Sequence, residues 1–400
     1  MGYTGPKEER VTGRVVLIGE DRQVHLINSD GGGLQSLTVD WSKQLMLSRW
    51  GEPPPPSTAW IWPVWSPDGA WVAAFEIPYD DDVAGPARLQ LLSTDGVRQV
   101  ELLTLTDEAP LYAAWSPDGS GLAVLTQPTD GALNLHHVAV DRPGVSRVLE
   151  QGAPLFFSWA PEGGQVSVHV GGRREGRVIV RDALGDGADL TPSASPGLYC
   201  APIWVGGRLI FVEGQSGLSG LVLSANADGS DPREVARLAG LAAITPAFDG
   251  ERLLLGVARD GEGGAYDSVR LIDLRSGEDV LVNDEPCLAF FWSAARQSLL
   301  YVRVNRERGH LSWHERRLGA PSRTLCSFIP TREMLFHLHY FDQLSLTHPL
   351  VSADGATLVF AGSLIDADEP GVPQIYALDL DHEEGPRPLA AGAYACVCPG

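Results

Sequence analysis

The stretch WSPDG stands at residues 65–69 and again at 115–119, and close variants follow at 159–163 (WAPEG) and 351–355 (VSADG). Proline presets φ, aspartate can accept a hydrogen bond from a nearby backbone N–H, and glycine tolerates a positive φ. The letters after the aromatic residue therefore predict a tight turn. Apolar runs precede and follow it, so the motif predicts a pair of antiparallel strands joined by that turn.

Aligning the chain on the aromatic residue of this motif reveals a repeat. The steps between successive positions are 50, 44, 45, 44, 44 and 59 residues, and the aligned residues are Trp65, Trp115, Trp159, Trp204, Phe248, Trp292 and Val351. A period in the forties with strand patterns inside each unit is typical of a β-propeller rather than a helical solenoid.

Each unit contains four strand-like segments. Runs rich in Val, Leu and Ile, many of them alternating apolar and polar residues, recur between polar turns. Examples of the first to fourth strand are 110–115, 71–76, 88–93 and 100–104. The sequence therefore predicts an all-β protein, a single propeller of four-stranded blades.

The two ends of the chain are complementary. Segments 12–20, 22–32 and 34–38 are interpreted as the second, third and fourth strands of a blade without a first strand. Segment 393–400 is interpreted as the missing inner strand, which would close the ring and remove an open sheet edge. We expect eight blades, or seven if a weak unit around Trp204 or Trp292 is misassigned. Residues 1–10 are predicted to form a tail, and residues 11–400 the propeller domain.

The repeated aromatic residues have two interpretations. At the end of the innermost strand, such a side chain can wedge between neighbouring blades, where a single blade cannot bury its own faces. Alternatively, the tryptophans stack on a sugar or a base. Their equivalent positions all round the predicted ring favour the packing role.

The repeats WSPDGAWVAAFE and WSPDGSGLAVLT resemble those of the TolB-type propellers, a group related to WD-repeat proteins. The resemblance extends from about Val11 to Gly400 and is strongest at 65–76 and 115–126. It implies a propeller fold and the binding of other proteins, but no reaction. The additional N-terminal domain and export signal of periplasmic TolB have no counterpart in this sequence, so an envelope role is not carried over.

Composition restricts the partners. The chain has 30 basic and 51 acidic residues and a net charge of −21, which repels phosphate backbones and argues against nucleic-acid binding. No window has the roughly 20 apolar residues of a membrane helix, and the N-terminus has no signal-like apolar stretch. We therefore expect no membrane insertion and a cytoplasmic location. The five scattered cysteines do not suggest a disulfide framework.

Two long connections interrupt the regular repeat, at 39–60 and 327–349. Both should lie on the face that carries the blade-to-blade loops, and loops held on a rigid scaffold are a common place for binding. The acidic loops 79–82 and 366–370 belong to the same sector. The candidate binding residues in these segments are Trp50, Asp80, Asp82 and Asp366.

The second insertion contains most of the candidate site. Residues 337–349 (HLHYFDQLSLTHP) supply the binding candidates His337, His339, Tyr340, Asp342, Gln343 and His348. If the segment is extended, His337 and His339 share a face and could form a metal site with Asp342 and His348. The alternatives are mutual hydrogen bonding at the channel mouth, or one or two amphipathic helical turns over it. The acidic loops could bind calcium through their oxygen atoms.

The sequence lacks the common catalytic signatures. It contains no G-x-S-x-G elbow, no H-E-x-x-H and no phosphate loop. The favoured hypothesis is a noncatalytic scaffold that binds a protein or peptide on its loop-rich face, without an assigned cofactor. The alternative is a small-molecule or metal-dependent enzyme that uses the His/Asp cluster. Fold-level analogy adds a third hypothesis, a subunit of a membrane-associated complex.

Overall fold

The computed structural model describes residues 13–39, 58–78, 85–129, 131–172, 175–185, 187–197, 200–215, 218–259, 265–365, 371–382 and 384–399. Within these ranges, the protein is built from antiparallel strands. Five sheets have four strands each, and a sixth has ten strands. The chain is therefore all-β with repeated four-stranded sheets, as expected for a propeller.

The strands follow the predicted repeat. The N-terminal strands are β1 (Arg14–Gly19), β2 (Val24–Asn28) and β3 (Gln35–Ser36). The next two units contain β4 (Thr58–Trp65), β5 (Trp71–Pro78), β6 (Ala87–Ser93), β7 (Gln99–Leu105), β8 (Glu108–Trp115), β9 (Gly121–Pro128), β10 (Leu133–Ala139) and β11 (Ser146–Gly152). Two further units contain β12 (Leu155–Trp159), β13 (Gln165–Val170), β14 (Arg177–Asp182), β15 (Leu190–Ser193), β16 (Ile203–Val205), β17 (Arg208–Gly214), β18 (Ser219–Ala225) and β19 (Arg233–Ala239).

The remaining strands complete the repeat. They are β20 (Leu241–Pro246), β21 (Arg252–Ala258), β22 (Ser268–Asp273), β23 (Asp279–Asn283), β24 (Ala289–Ser293), β25 (Ser298–Asn305), β26 (His310–Arg317), β27 (Arg323–Pro330), β28 (Thr357–Leu364), β29 (Gln374–Asp379) and β30 (Arg387–Val397). Two short helices, α1 (Arg332–His339) and α2 (Phe341–Leu344), lie between β27 and β28. The first four residues of the 327–349 connection thus belong to β27.

The last repeat departs from the pattern. Its predicted inner strand is reduced to one isolated bridge, between Val351 and Leu358. The end of β27 pairs directly with the end of β28, with Phe328 opposite Leu364. This pairing joins two units into one continuous sheet, because no complete inner strand separates them.

Strand β30 pairs with two different neighbours. Its first half pairs with β29, with Ile375 opposite Ala390, and its second half pairs with β1, with Val15 opposite Val397. Gly392 lies where the strand passes from one neighbour to the other. A Cβ atom there would stand 2.5 Å from the carbonyl oxygen of Ile18, which is why the crossing needs a glycine. The C-terminal strand therefore lies beside the N-terminal one.

The repeated motif forms the predicted turn. Asp68 accepts from the amide of Ala70 at 3.0 Å, and Gly69 has a φ of 69°. The serine has a role that the sequence did not reveal, because Ser66 Oγ accepts from the amide of Trp71 at 2.9 Å while donating to Asp68. The same serine-centred arrangement recurs in the turns at 116–121 and 352–357. Each turn thus satisfies the amide that starts the next strand.

Three of the aligned tryptophans, Trp65, Trp115 and Trp159, pack between neighbouring sheets as the packing hypothesis predicted, whereas Phe248 is 58% exposed. The indole Nε1–H of Trp115 donates to the carbonyl of Val64 in the preceding unit at 3.3 Å, and that of Trp159 donates to Ala114 at 3.0 Å. Trp65 donates to Cys396 at 3.4 Å. Each ring fills the gap between two sheets while its polar edge finds a backbone acceptor on the neighbour.

Candidate functional site

Residues 331–349, here called the plug, run among the inner strands of the repeat. Thr331 caps α1 by accepting from the amide of Met334 at 3.1 Å, and Glu333 places an acidic group in the first turn. The side chains of Met334, Leu338, Phe341 and Leu344 are fully buried. The plug is thus a packed part of the core.

One side of the plug contacts the first and second units. His337 Nδ1 lies 2.9 Å from the hydroxyl of Tyr394 on β30. The ring of Phe336 packs against Trp62 on β4, with centroids 5.0 Å apart. Tyr394 also lies edge-on against Trp62 at 5.0 Å. These contacts connect α1 to β30 and to β4.

Gln343 connects the plug to the third and fourth units. Its Oε1 accepts from the hydroxyl of Tyr112 on β8 at 3.2 Å and from the amide of Phe157 on β12 at 3.1 Å. Tyr112 and Phe157 are themselves stacked with an interplanar angle of 7°. One amide side chain therefore joins two inner strands.

The other side of the plug contacts the later units. Phe341 packs against Phe290 at 4.6 Å and against Tyr266 at 5.8 Å. Leu346 packs on the cluster that contains Ile203 and Ile244. The plug thus contacts the inner strands of six units, which are β30, β4, β8, β12, β20 and β24.

Burial disfavours the charged forms of the ionisable side chains in the plug. Burial raises the pKa of Asp342 to about 7. Burial also lowers the pKa of His348 to about 3, and it lowers that of His337 well below its usual value with help from the nearby His348. Both imidazoles are therefore neutral at physiological pH, and the carboxyl group titrates close to it.

The plug does not assemble the predicted metal site. The segment is helical, so His337 and His339 are about 200° apart around the axis and do not share a face. His337 is buried, whereas His339 and Tyr340 are exposed. Among the described residues, no group of three His, Cys, Asp or Glu side chains is placed to hold a metal ion. The extended-segment hypothesis is wrong. The segment is helical, as the alternative predicted, but it is packed into the core rather than laid over a mouth.

The remaining candidates have separate outcomes. Asp342, Gln343 and His348 are buried within the plug. Trp50, Asp80, Asp82 and Asp366 lie outside the described residues. Most of the 39–60 connection and all of the two acidic loops also lie outside them, so the calcium hypothesis stays a prediction.

A cavity of about 520 Å³ lies at the end of the inner strands that carries the motif turns, and it is here called the turn-end cavity. Its walls come from several units and from the last residues of the plug. They include Trp65, Pro67, Trp115, Pro117, Phe248, Phe291, Trp292, Leu346, Pro349 and Leu350. Cys398 is the one His, Cys, Asp, Glu, Lys, Arg or Tyr among its described lining residues, and burial raises the pKa of this thiol to about 11. The cavity is aromatic, proline-rich and uncharged.

A smaller cavity of about 160 Å³ adjoins it and shares Trp115, Pro117, Leu346 and Thr347 with it. Its other walls include Trp159, Pro161 and Trp204. All six aligned aromatic residues therefore line one cavity or the other. The stacking alternative in the sequence analysis concerned the same tryptophans. The packing role and the lining role are compatible, because one ring can pack between two sheets and also form part of a cavity wall.

Comparisons with known proteins place the fold only. No protein-family model and no curated protein matches the sequence. A solved prolyl endopeptidase matches with a TM-score of 0.55 and 14% identity over 93% of this chain and 54% of its own. A eukaryotic initiation factor matches with a TM-score of 0.54 and 11% identity over 97% and 99%. TolB from Acinetobacter baumannii matches with a TM-score of 0.42 and 13% identity over 98% and 81%.

This chain spans about half the length of the prolyl endopeptidase that it matches. At these identities the likeness concerns the fold and not the activity. Among the described residues, no helix is long and apolar enough to cross a bilayer.

Proposed function

We propose that the protein is a noncatalytic β-propeller that binds a peptide segment of a partner protein in the turn-end cavity. The observation that carries this proposal is the cavity itself, about 520 Å³ with aromatic, proline and aliphatic walls drawn from several sheets. Concave, mostly apolar sites with a few polar groups are typical binding sites. An apolar side chain of a peptide would bury its surface against these rings.

The proposal includes the architecture that holds the cavity. We infer eight blades closed by β30, which acts as the outer strand of the last blade and the inner strand of the first. The pairing of β30 with both β29 and β1 supports this closure. The contacts of the plug with the inner strands of six units also support it, because a segment on the axis of a closed ring lies within reach of all of them.

The lining argues for binding rather than catalysis. General acid–base chemistry needs a side chain with a pKa near the working pH within hydrogen-bond reach of the substrate. The described walls offer serine, threonine and one protonated thiol, but no His, Asp or Glu. His337, Asp342 and His348 are enclosed in the plug and do not line the cavity.

The test is peptide binding by the full chain. A library of fluorescent peptides with a single central aliphatic or aromatic residue is screened by polarisation. Ala353 is exposed and lines the cavity, so Ala353→Trp should fill its entrance. Ala70 is an exposed alanine that follows another motif turn but does not line the cavity, so Ala70→Trp is the matched control.

We expect selected peptides to bind the wild type and Ala70→Trp alike, and to lose at least about tenfold in affinity for Ala353→Trp, equivalent to ~1.4 kcal/mol. Two results would refute the proposal. One is that no peptide of the library binds, and the other is that Ala353→Trp binds as well as its control.

A further inference from the structure

The inner part of the turn-end cavity is polar. Four residues that line it are at least nine-tenths buried and carry a polar atom with no hydrogen-bond partner among the described residues. These atoms are Thr245 Oγ1, Trp292 Nε1, Ser293 Oγ and Ser345 Oγ. A buried polar atom without a partner is costly, so such atoms mark a place where a ligand can supply the missing hydrogen bonds.

Trp292 is the informative member of this set. Trp65 and Trp115, which also line the cavity, donate their indole N–H to a carbonyl of the preceding unit. Trp292 is equally buried, at 5% exposure, but its Nε1 donates to no described residue. An indole can only donate, so the complementary ligand group is an acceptor such as a peptide carbonyl.

The turns around the opening carry negative charge. Asp68, Asp118 and Asp354 each follow a residue that lines the cavity: Pro67, Pro117 and Ala353. These three carboxylates, here called the rim acids, accept from hydroxyls and amides of their own turns rather than from a cation in the described part of the chain.

Two of the rim acids, Asp118 and Asp354, have a lowered pKa and are ionised at neutral pH. Hydrogen bonds from Ser352 and from the amide of Ala356 lower the pKa of Asp354. For Asp118, burial acts in the opposite direction, but hydrogen bonds from Ser116 and Ser120 outweigh it and the pKa is also lowered.

Two arginines lie near the same walls. Arg14 lies over the ring of Trp65 at 5.9 Å, and Arg252 lies over that of Trp292 at 5.7 Å. Arg252 is also paired with Asp249. The rim therefore remains acidic, in keeping with the overall charge of −21.

We propose that the bound segment is an apolar residue flanked by lysine or arginine, with a backbone carbonyl that accepts from Trp292. This inference rests on the proposed function and specifies its partner. The apolar residue matches the uncharged walls, because an unpaired charge inside them would be strongly unfavourable. The basic flanks match the rim acids, which remain in contact with solvent, so charge complementarity selects the partner and speeds its approach.

The test compares three peptides that share one apolar centre and carry flanking Lys, Gln or Glu residues. Binding by the full chain is measured by polarisation at low and high salt. The variant Asp68→Asn/Asp118→Asn/Asp354→Asn removes the three charges but keeps an oxygen for each turn hydrogen bond. The control Asp95→Asn/Asp228→Asn/Asp273→Asn removes three carboxylates that do not line the cavity, from turns between third and fourth strands.

We expect the Lys peptide to bind about tenfold more tightly than the Glu peptide, since exposed ion pairs each contribute a modest amount. The preference should shrink in high salt and disappear in the rim variant, but not in the control. The indole N–H resonance of Trp292, assigned by its loss in Trp292→Phe, should shift on binding.

Equal binding of the Lys and Glu peptides, with Ala353→Trp still blocking both, would overturn the basic-flank inference and leave the proposed function intact. A preference that survives in the rim variant would also overturn it. If none of the three peptides binds, nor any peptide of the library, the proposed function fails and this inference fails with it.

Discussion

The stability of the plug should depend on pH through Asp342. Its carboxyl group has an ordinary pKa of 3.8 and a pKa of about 7 in the folded protein, because it is buried. Between these values the folded state binds more protons than the unfolded state, so the free energy of unfolding falls as pH rises and levels off above about 7. Asp342→Asn replaces this carboxyl group with an uncharged amide of similar shape, so this side chain adds no pH dependence to the free energy of unfolding of the variant.

The magnitude follows from the width of the window. One pH unit corresponds to ~1.4 kcal/mol for one proton, so raising the pH from about 5.5 to about 8.5 covers roughly 1.5 units of titration, or ~2 kcal/mol. The free energy of unfolding of Asp342→Asn should therefore gain about 2 kcal/mol relative to the wild type over this range. Over this pH range the protein keeps its negative net charge, because it has many more acidic than basic residues.

The assay is urea unfolding at several pH values, with the variant and the wild type measured in parallel. Subtracting the two curves removes the contributions of His337 and His348, which both proteins share. Asp95→Asn is the control, because a hydrogen bond from Ser93 lowers the pKa of that exposed carboxyl group, which is ionised throughout the window. Parallel curves for Asp342→Asn and the wild type would show that Asp342 is not buried as described, and the account of the plug would be wrong.

Three further substitutions test the packing of the repeat, each by urea unfolding. Trp115→Phe should lower the free energy of unfolding by about 1 kcal/mol more than Trp292→Phe does. Both variants lose the same ring volume, but only Trp115 loses an indole hydrogen bond. Equal losses would argue against the hydrogen bond between Trp115 and Val64. Ser352→Ala should lower the free energy of unfolding by about 1 kcal/mol, since the Ser352 hydroxyl accepts from the amide of Thr357. An unchanged free energy would show that this serine does not stabilise the turn. Glu315→Gln should lower the free energy of unfolding by ~3 kcal/mol, because this carboxylate is 1% exposed and paired with three arginines. A loss below about 1 kcal/mol would show that solvent screens the cluster.

The strands could be predicted from the sequence because the repeat supplies the same information several times. Alternation and turn chemistry are local, so each of the runs 71–76, 121–126 and 357–362 falls within an observed strand. The partner of the C-terminal strand could also be predicted. The N-terminal segments lack an inner strand and segment 393–400 is an inner strand without further strands, so the two complement each other, and β30 does pair with β1.

The plug could not be predicted with the same certainty. Its residues have no repeat to compare with, and a short apolar segment is compatible with either a strand or a helix. The decisive signals were a capping threonine and an early acid, Thr331 and Glu333, which are weak outside their structural context. Treating the segment as extended placed His337 and His339 on one face, whereas in the helix they lie about 200° apart around the axis.

The turn-end cavity follows from the same exception. In a regular blade, the inner strand would run beside the axis and end in the motif turn. In the last repeat, only Val351 remains at that place, and the plug packs against the inner strands of other units. A helix does not present a flat row of side chains to its neighbours, so the aromatic rings at the turn end are left without a complementary partner below them. The cavity thus lies where the end of the plug meets the tryptophans of the motif turns, and these rings form part of its wall.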